Sequence, residues 1–280
     1  MNILKFIESF TNDDLMLSKG SRRDSFTQFG SIGKGLALAS VPFGLSALAG
    51  GKAFAANGQA VAADTPIGAL QLALTLEYLE NEYYAMGLAS GVIPLSENAG
   101  RDRKVFEQIA AHEADHVAFL IAGLGGTASA NFVAKPNFDF TVGGAFDPFN
   151  DYPTFLALAQ AFEDTGVRAY KGQAGNLITT PDLLTAALQI HSVEARHASE
   201  VRRLRGLKGW IVGNQRGAGM PDATQAVYNG EENVMQAGFN TSTVTNSMGP
   251  AIPGLAGSES FDEPLTTQQS VDIASLFIVS

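Results

Sequence analysis

Residues 191–200 read HSVEARHASE, and within them Glu194 and His197 stand three apart. On a helix that spacing returns both side chains to one side of the rod, offering a carboxylate and an imidazole together. Glutamate and histidine are also ordinary residues of a solvated helix, so one such pair decides nothing. The spacing recurs, however, at Glu113 and His116 in AAHEADHVAF, residues 111–120. Two other segments give glutamate a different companion: Glu77 is followed seven residues later by Tyr84, and Glu163 seven residues later by Tyr170. Seven residues make two turns, so each tyrosine returns to the face of its glutamate. In chain order the pattern is Glu-x6-Tyr, Glu-x-x-His, Glu-x6-Tyr, Glu-x-x-His, a duplicated helical hairpin.

The flanks predict four long helices. The first, residues 64–90, has Asp64 and Thr65 as N-cap candidates and Pro66 at a first helical position. The second starts near Ser96 and Glu97 and runs until Gly125 and Gly126 stop it. Asp151 and Pro153 open the third, and Thr180, Pro181 and Asp182 the fourth. Two of the links are short, but residues 125–150 form a long connection in which Phe132, Phe138, Phe140, Phe146 and Phe149 alternate with Gly, Asn, Asp and Pro. One long crossover is how the ferritin-like type of four-helix bundle is wired. The expected fold is therefore all-α, a four-helix bundle over residues 56–210. An irregular C-terminal extension, residues 211–280, follows it and ends in a short helix or strand near 266–280.

Composition bounds the chemistry. With 280 residues and 45% hydrophobic content the chain can bury a sizeable core. Cysteine is absent, which removes disulfides, thiolate metal sites and cysteine nucleophiles. A net charge of −10 argues against nucleic acid and anionic membranes as partners and favours cations. At the N-terminus Arg22 and Arg23 precede the weakly apolar run GLALASVPFGLSALAG, residues 35–50, which ends in Ala53, Phe54 and Ala55. That run is too short and too rich in Gly and Pro to span a bilayer. Its layout over residues 1–55 resembles a twin-arginine export signal, which predicts a periplasmic or cell-envelope location; an uncleaved amphipathic arm on a cytoplasmic protein is the competing expectation.

Placed on their helices, Glu77, Glu113, Glu163 and Glu194 all fall near the middle of a bundle roughly 35–40 Å long. Burying four carboxylates without compensation costs several kcal/mol per ion. Two divalent cations balance them. The expected donors are Glu77 and Glu163, with a bridging glutamate and a histidine from each of Glu113/His116 and Glu194/His197. Oxygen and imidazole donors without thiolate suit iron or manganese.

At these six residues the sequence resembles the ferritin-like di-metal carboxylate superfamily, which includes bacterioferritin, rubrerythrin and manganese catalase. LEYLENEYYAMG, HEADHVAFL, FEDTGVRAY and VEARHASE are similar to the bacterial ferritin-like family that includes desiccation-related proteins. The resemblance implies two iron or manganese ions and reaction with O2 or H2O2, as a ferroxidase or a peroxide-consuming oxidoreductase. A stress-protective or assembly role with a structural metal, or none, is the competing expectation. The C-terminal tail can serve assembly, including a homo-oligomer. Around the donors, Tyr84 and Tyr170 can hydrogen-bond ligating glutamates, and Glu80, His112 and His191 are candidates for supporting contacts. Asp164 and Arg196 adjoin donors and can anchor the histidines or form surface ion pairs.

Overall fold

A computed structural model describes residues 64–95, 100–244 and 254–279. The arginine pair and apolar run of the leader, and the helix-start signals Ser96 and Glu97, lie outside the described residues. Four long helices dominate: α1 (Pro66–Ser90), α2 (Arg101–Gly123), α3 (Tyr152–Gln173) and α4 (Pro181–Leu204). Thr65 caps α1 by accepting from the Gly68 N–H at 3.0 Å, ahead of Pro66, and Gly91 ends it at φ 80°. Asp151 caps α3 through the Thr154 N–H at 2.9 Å. α2 starts after Gly100, which takes φ 74°.

Two apolar clusters fix the helix directions. One joins the start of α1 (Leu70, Leu74) to the end of α2 (Leu120), the end of α3 (Tyr170) and the start of α4 (Leu183, Ile190). The other joins the end of α1 (Tyr83, Tyr84) to the start of α2 (Phe106, Ile109), the start of α3 (Phe155, Phe162) and the end of α4 (Val201). The order is therefore up, down, down, up. Because α2 and α3 run parallel, the chain must return the full length of the bundle between them, which is why the crossover is long. The crossover is packed: Phe140 is 2% exposed and sits with Tyr83, Phe149, Phe162 and Phe277 in an aromatic cluster. Its β1 (Asn137–Phe138) pairs antiparallel with the last strand of the chain.

α1 and α3 are the inner pair. Residues 68–80 of α1 and 155–170 of α3 are buried without interruption, so neither helix presents a solvated face. α2 and α4 are the outer pair, with polar faces to water and narrower buried stripes. What covers α3 is the C-terminal extension, which carries a hairpin of β2 (Met235–Gln236) and β3 (Phe239–Asn240), then α5 (Gly254–Ser258), α6 (Thr267–Ala274) and β4 (Ile278–Val279). Ile211, Met220, Val227 and Tyr228 pack on Ala157 and Ala161 of α3. α6 enters the bundle core through Val271 and Ala274, and Phe277 follows it. Arg168, 1% exposed, pins the extension: its guanidinium donates to the carbonyls of Val227, Asn229 and Glu263 and pairs with Glu231 at 2.7 Å. Among the described residues no helix is long and apolar enough to cross a membrane.

Candidate metal centre

Between the two apolar clusters lies a polar layer. Glu77, Glu113, Glu163 and Glu194, one from each long helix, are each 0% exposed. With the two histidines they form two overlapping groups whose donor atoms all lie within 4.8 Å of one another: Glu77, Glu113, His116 and Glu194 in one, Glu113, Glu163, Glu194 and His197 in the other. Glu113 and Glu194 belong to both, and they split their oxygens between them. Oε2 of Glu113 is 3.0 Å from His116 Nδ1, while its Oε1 is 2.9 Å from His197 Nδ1. Oε1 of Glu194 is 3.2 Å from His116 Nδ1 and its Oε2 is 3.9 Å from His197 Nδ1. Glu77 Oε2 lies 3.2 Å from His116 Nδ1, and Glu163 Oε2 lies 3.4 Å from His197 Nδ1. Glu113 and Glu194 are thus common to the two groups, while Glu77 and Glu163 belong to one each.

The tyrosines contact the cluster in exchange. Tyr170 on α3 donates its hydroxyl to Glu77 Oε1 on α1, and Tyr84 on α1 donates to Glu163 Oε1 on α3. Each tyrosine therefore serves the glutamate of the opposite helix, not its own. Two turns separate it from its own carboxylate by about 10.5 Å along the axis, beyond hydrogen-bond reach, whereas the antiparallel inner pair brings the other glutamate level with it. Each terminal glutamate then keeps one oxygen for tyrosine and one for the cluster.

Glu80, 2% exposed, is the fifth buried carboxylate of the layer, one turn from Glu77. Gly166 makes room for it: a methyl group there would stand 3.2 Å from Glu80 Oε1 and 3.4 Å from Glu194 Oε2. His112 supports His197, with its Nδ1 2.9 Å from His197 Nε2 and its Nε2 2.8 Å from Gln108, and the two imidazoles stack at 5.1 Å. Nδ1 of His197 is thereby left to the cluster. No such histidine stands by His116, because Val193 occupies the corresponding place on α4.

His191, Asp164 and Arg196 lie elsewhere. On a helix His191 and His197 diverge to opposite sides of Glu194, each by about 60°. His197 leans toward α2, and His191 leans toward α3 and the extension, where Val167, Lys171 and Asp262 surround it. Asp164 is buried in a structural network, held by Arg202 at 2.5 and 3.0 Å and by the Tyr228 hydroxyl at 2.8 Å. Arg196 is on the surface. The Tyr228 and Arg168 anchors escaped sequence reasoning, since their partners are a distant tail and backbone carbonyls that leave no spacing signal.

Electrostatics describe a cluster that needs positive charge. Burial pushes the Glu77 carboxyl up to about 7 against the pull of His116. Burial, reinforced by the neighbouring carboxylates, raises Glu80 and Glu194 well above the usual range. Burial also opposes ionised Glu113, but contacts with His116 and His197 overrule it and hold the group at about 2. Desolvation disfavours charged His197, yet Glu163 and Glu113 draw it up to about 11, and the carboxylates around His116 raise that ring too.

The donor set fits a pair of dications by a further observation. Glu113 Oε1, Glu163 Oε2, both Glu194 oxygens and His197 Nδ1 are buried and make no well-formed hydrogen bond, only the carboxylate–imidazole approaches given above. Buried polar atoms ordinarily form one. Here five that do not converge on one layer, and oxygen plus imidazole is the chemistry of iron and manganese sites.

A family profile described as the ferritin-like domain matches residues 65–207, from the cap of α1 to just past α4, a span that holds all six donors. No curated protein and no solved structure matches the chain.

Proposed function

The chain belongs to the ferritin-like domain family, and from that premise we propose that it holds two divalent ions, iron or manganese, and reacts with O2 or peroxide. The observation that supports this most directly is the convergence, in the layer of Glu113, Glu163, Glu194 and His197, of buried donor atoms that lack a well-formed hydrogen bond. Bound there, two such ions supply paired one-electron redox changes to a small oxidant. Every other part of the chemistry belongs to the protein. Glu113 and Glu194, each with its two oxygens turned to different histidines, would help to hold both ions. Tyr84 and Tyr170 orient the terminal carboxylates, and His112 fixes the ring of His197. The apolar clusters above and below keep water from the layer. Four carboxylates already balance two dications, and Glu80, buried one turn from Glu77, adds a fifth carboxyl beside the centre.

Export of the folded, loaded protein is part of the same proposal, and rests on the Arg22–Arg23 leader pattern. The test is metal content with turnover: protein purified without chelator, its iron and manganese quantified, and O2- and H2O2-dependent activity compared with Glu194→Gln. Two ions per chain and activity lost in the variant support the reading. Bound metal without turnover of either oxidant supports the stress-protective role instead.

A further inference from the structure

α2 and α4 form the least tightly packed neighbouring pair of the bundle, and a cleft of about 620 Å³ opens between them. Its walls are one face of each helix at helical spacing: Arg101, Lys104, Val105, Gln108, Ile109 and His112 from α2, and Val193, Arg196, His197 and Glu200 from α4. The floor is the stacked His112–His197 pair, and His197 is itself a donor of the cluster. The cleft therefore leads from solvent to the edge of the buried layer. Its charge runs against that of the chain. Arg101, Lys104 and Arg196 face a single acid, Glu200, which Arg101 already engages. A chain of net charge −10 has placed an excess of cations at this mouth. A low-dielectric cleft of one sign concentrates ligands of the other sign. Val105, Ile109 and Val193 add an apolar wall, and the volume is that of a small-molecule site.

We infer that this cleft binds a small organic anion with an apolar body, of the aromatic or short aliphatic carboxylate class, its charge held by Lys104 and Arg196 and its body against Val105, Ile109 and Val193. Its position deepens the proposed function, since it rests on that reading to make the occupant a neighbour of the metal centre. A divalent cation approaching by this route meets repulsion. The occupant this mouth selects is therefore the organic anion rather than a cation cargo.

Benzoate is the probe, titrated calorimetrically into metal-loaded and metal-free protein, with benzamide as the neutral isostere. Saturable one-site binding of benzoate is expected in both forms, stronger than that of benzamide and weakening between about 20 and 200 mM NaCl. The double reversal Lys104→Glu with Arg196→Glu lowers affinity about tenfold. Lys208→Glu, a charge reversal just past α4 and outside the cleft, leaves it unaltered. Circular dichroism checks the fold of each variant, and the neutral pair Lys104→Gln with Arg196→Gln gives an intermediate affinity if a reversal fails to fold. Absent saturation, or affinity indifferent to both the reversal and the neutral pair, overturns the inference. Failure of the wild type to bind metal overturns the proposed function instead, and the metal-free titration keeps the two failures apart.

Discussion

Tyr170→Phe removes one oxygen atom from a fully packed interior and should act on one metal site of the pair. The hydroxyl it deletes donates to Glu77 Oε1, and Glu77 is 0% exposed, so no water replaces the lost donor. A buried hydrogen bond to a charged group is worth about 1.5–3 kcal/mol. At about 1.4 kcal/mol per decade that is roughly a 10- to 100-fold loss of affinity for an ion that needs Glu77 ionised, in line with about 10- to 100-fold for outer-shell contacts in general. The loss should fall on the ion held by Glu77, Glu113, His116 and Glu194. The other ion shares only Glu113 and Glu194 with it. Tyr84→Phe should weaken the second site through Glu163. Stepwise Mn(II) titration by calorimetry, with circular dichroism to check the fold, reads both constants. Each single variant is expected to lower one of the two constants, a different one in each, and the double variant to lower both. Two unchanged constants in both variants would refute the exchanged-tyrosine reasoning, as would both constants falling equally in each.

His112→Ala removes the partner of His197 Nε2 and should weaken only the Glu163 site, about 10- to 100-fold by Mn(II) titration. Equal weakening of both sites would count against that asymmetry. Gly172→Ala should destabilise by more than about 2 kcal/mol in a urea melt despite the usual helix preference for alanine. A methyl there would sit 1.8 Å from the Leu265 carbonyl oxygen, so the extension must lift off α3, visible as faster proteolysis within residues 211–279. Glu231, buried beside Arg168, has its carboxyl pushed up to about 7, chiefly by desolvation. The folded state thus prefers the proton more than the unfolded state does, and this contribution to stability is present below about 4.5 and lost as pH rises through about 7. The shift corresponds to about 3 kcal/mol. Chemical melts from pH 4.5 to 8 should show a fall that is smaller by that order in Glu231→Gln, and parallel curves would contradict the assignment.

The bundle was legible because a metal layer imposes spacing. Glu113 with His116 and Glu194 with His197 had to stand three residues apart, and the parallel run of α2 and α3 had to leave a long crossover, so both left marks in the chain. Contacts that depend on three-dimensional register left none. Tyr84 and Tyr170 shared a period with their own glutamates, yet antiparallel packing handed each to the other helix. His191 lies as close in sequence to Glu194 as His197 does, and the helix turned it the other way. The extension was opaque for another reason: Arg168 binds it largely through backbone carbonyls, which any sequence supplies, so a Gly/Asn/Ser-rich segment without period became the cover of the inner helix α3.

Anomalous diffraction from crystals of protein purified without chelator, recorded across the iron and manganese absorption edges, tests the di-metal reading most directly. Two peaks are expected inside the bundle, one among Glu77, Glu113, His116 and Glu194 and the other among Glu113, Glu163, Glu194 and His197, each about 2.0–2.3 Å from its donors. Crystals grown with added iron or manganese that show no peak in this layer, or peaks on the surface alone, would contradict it.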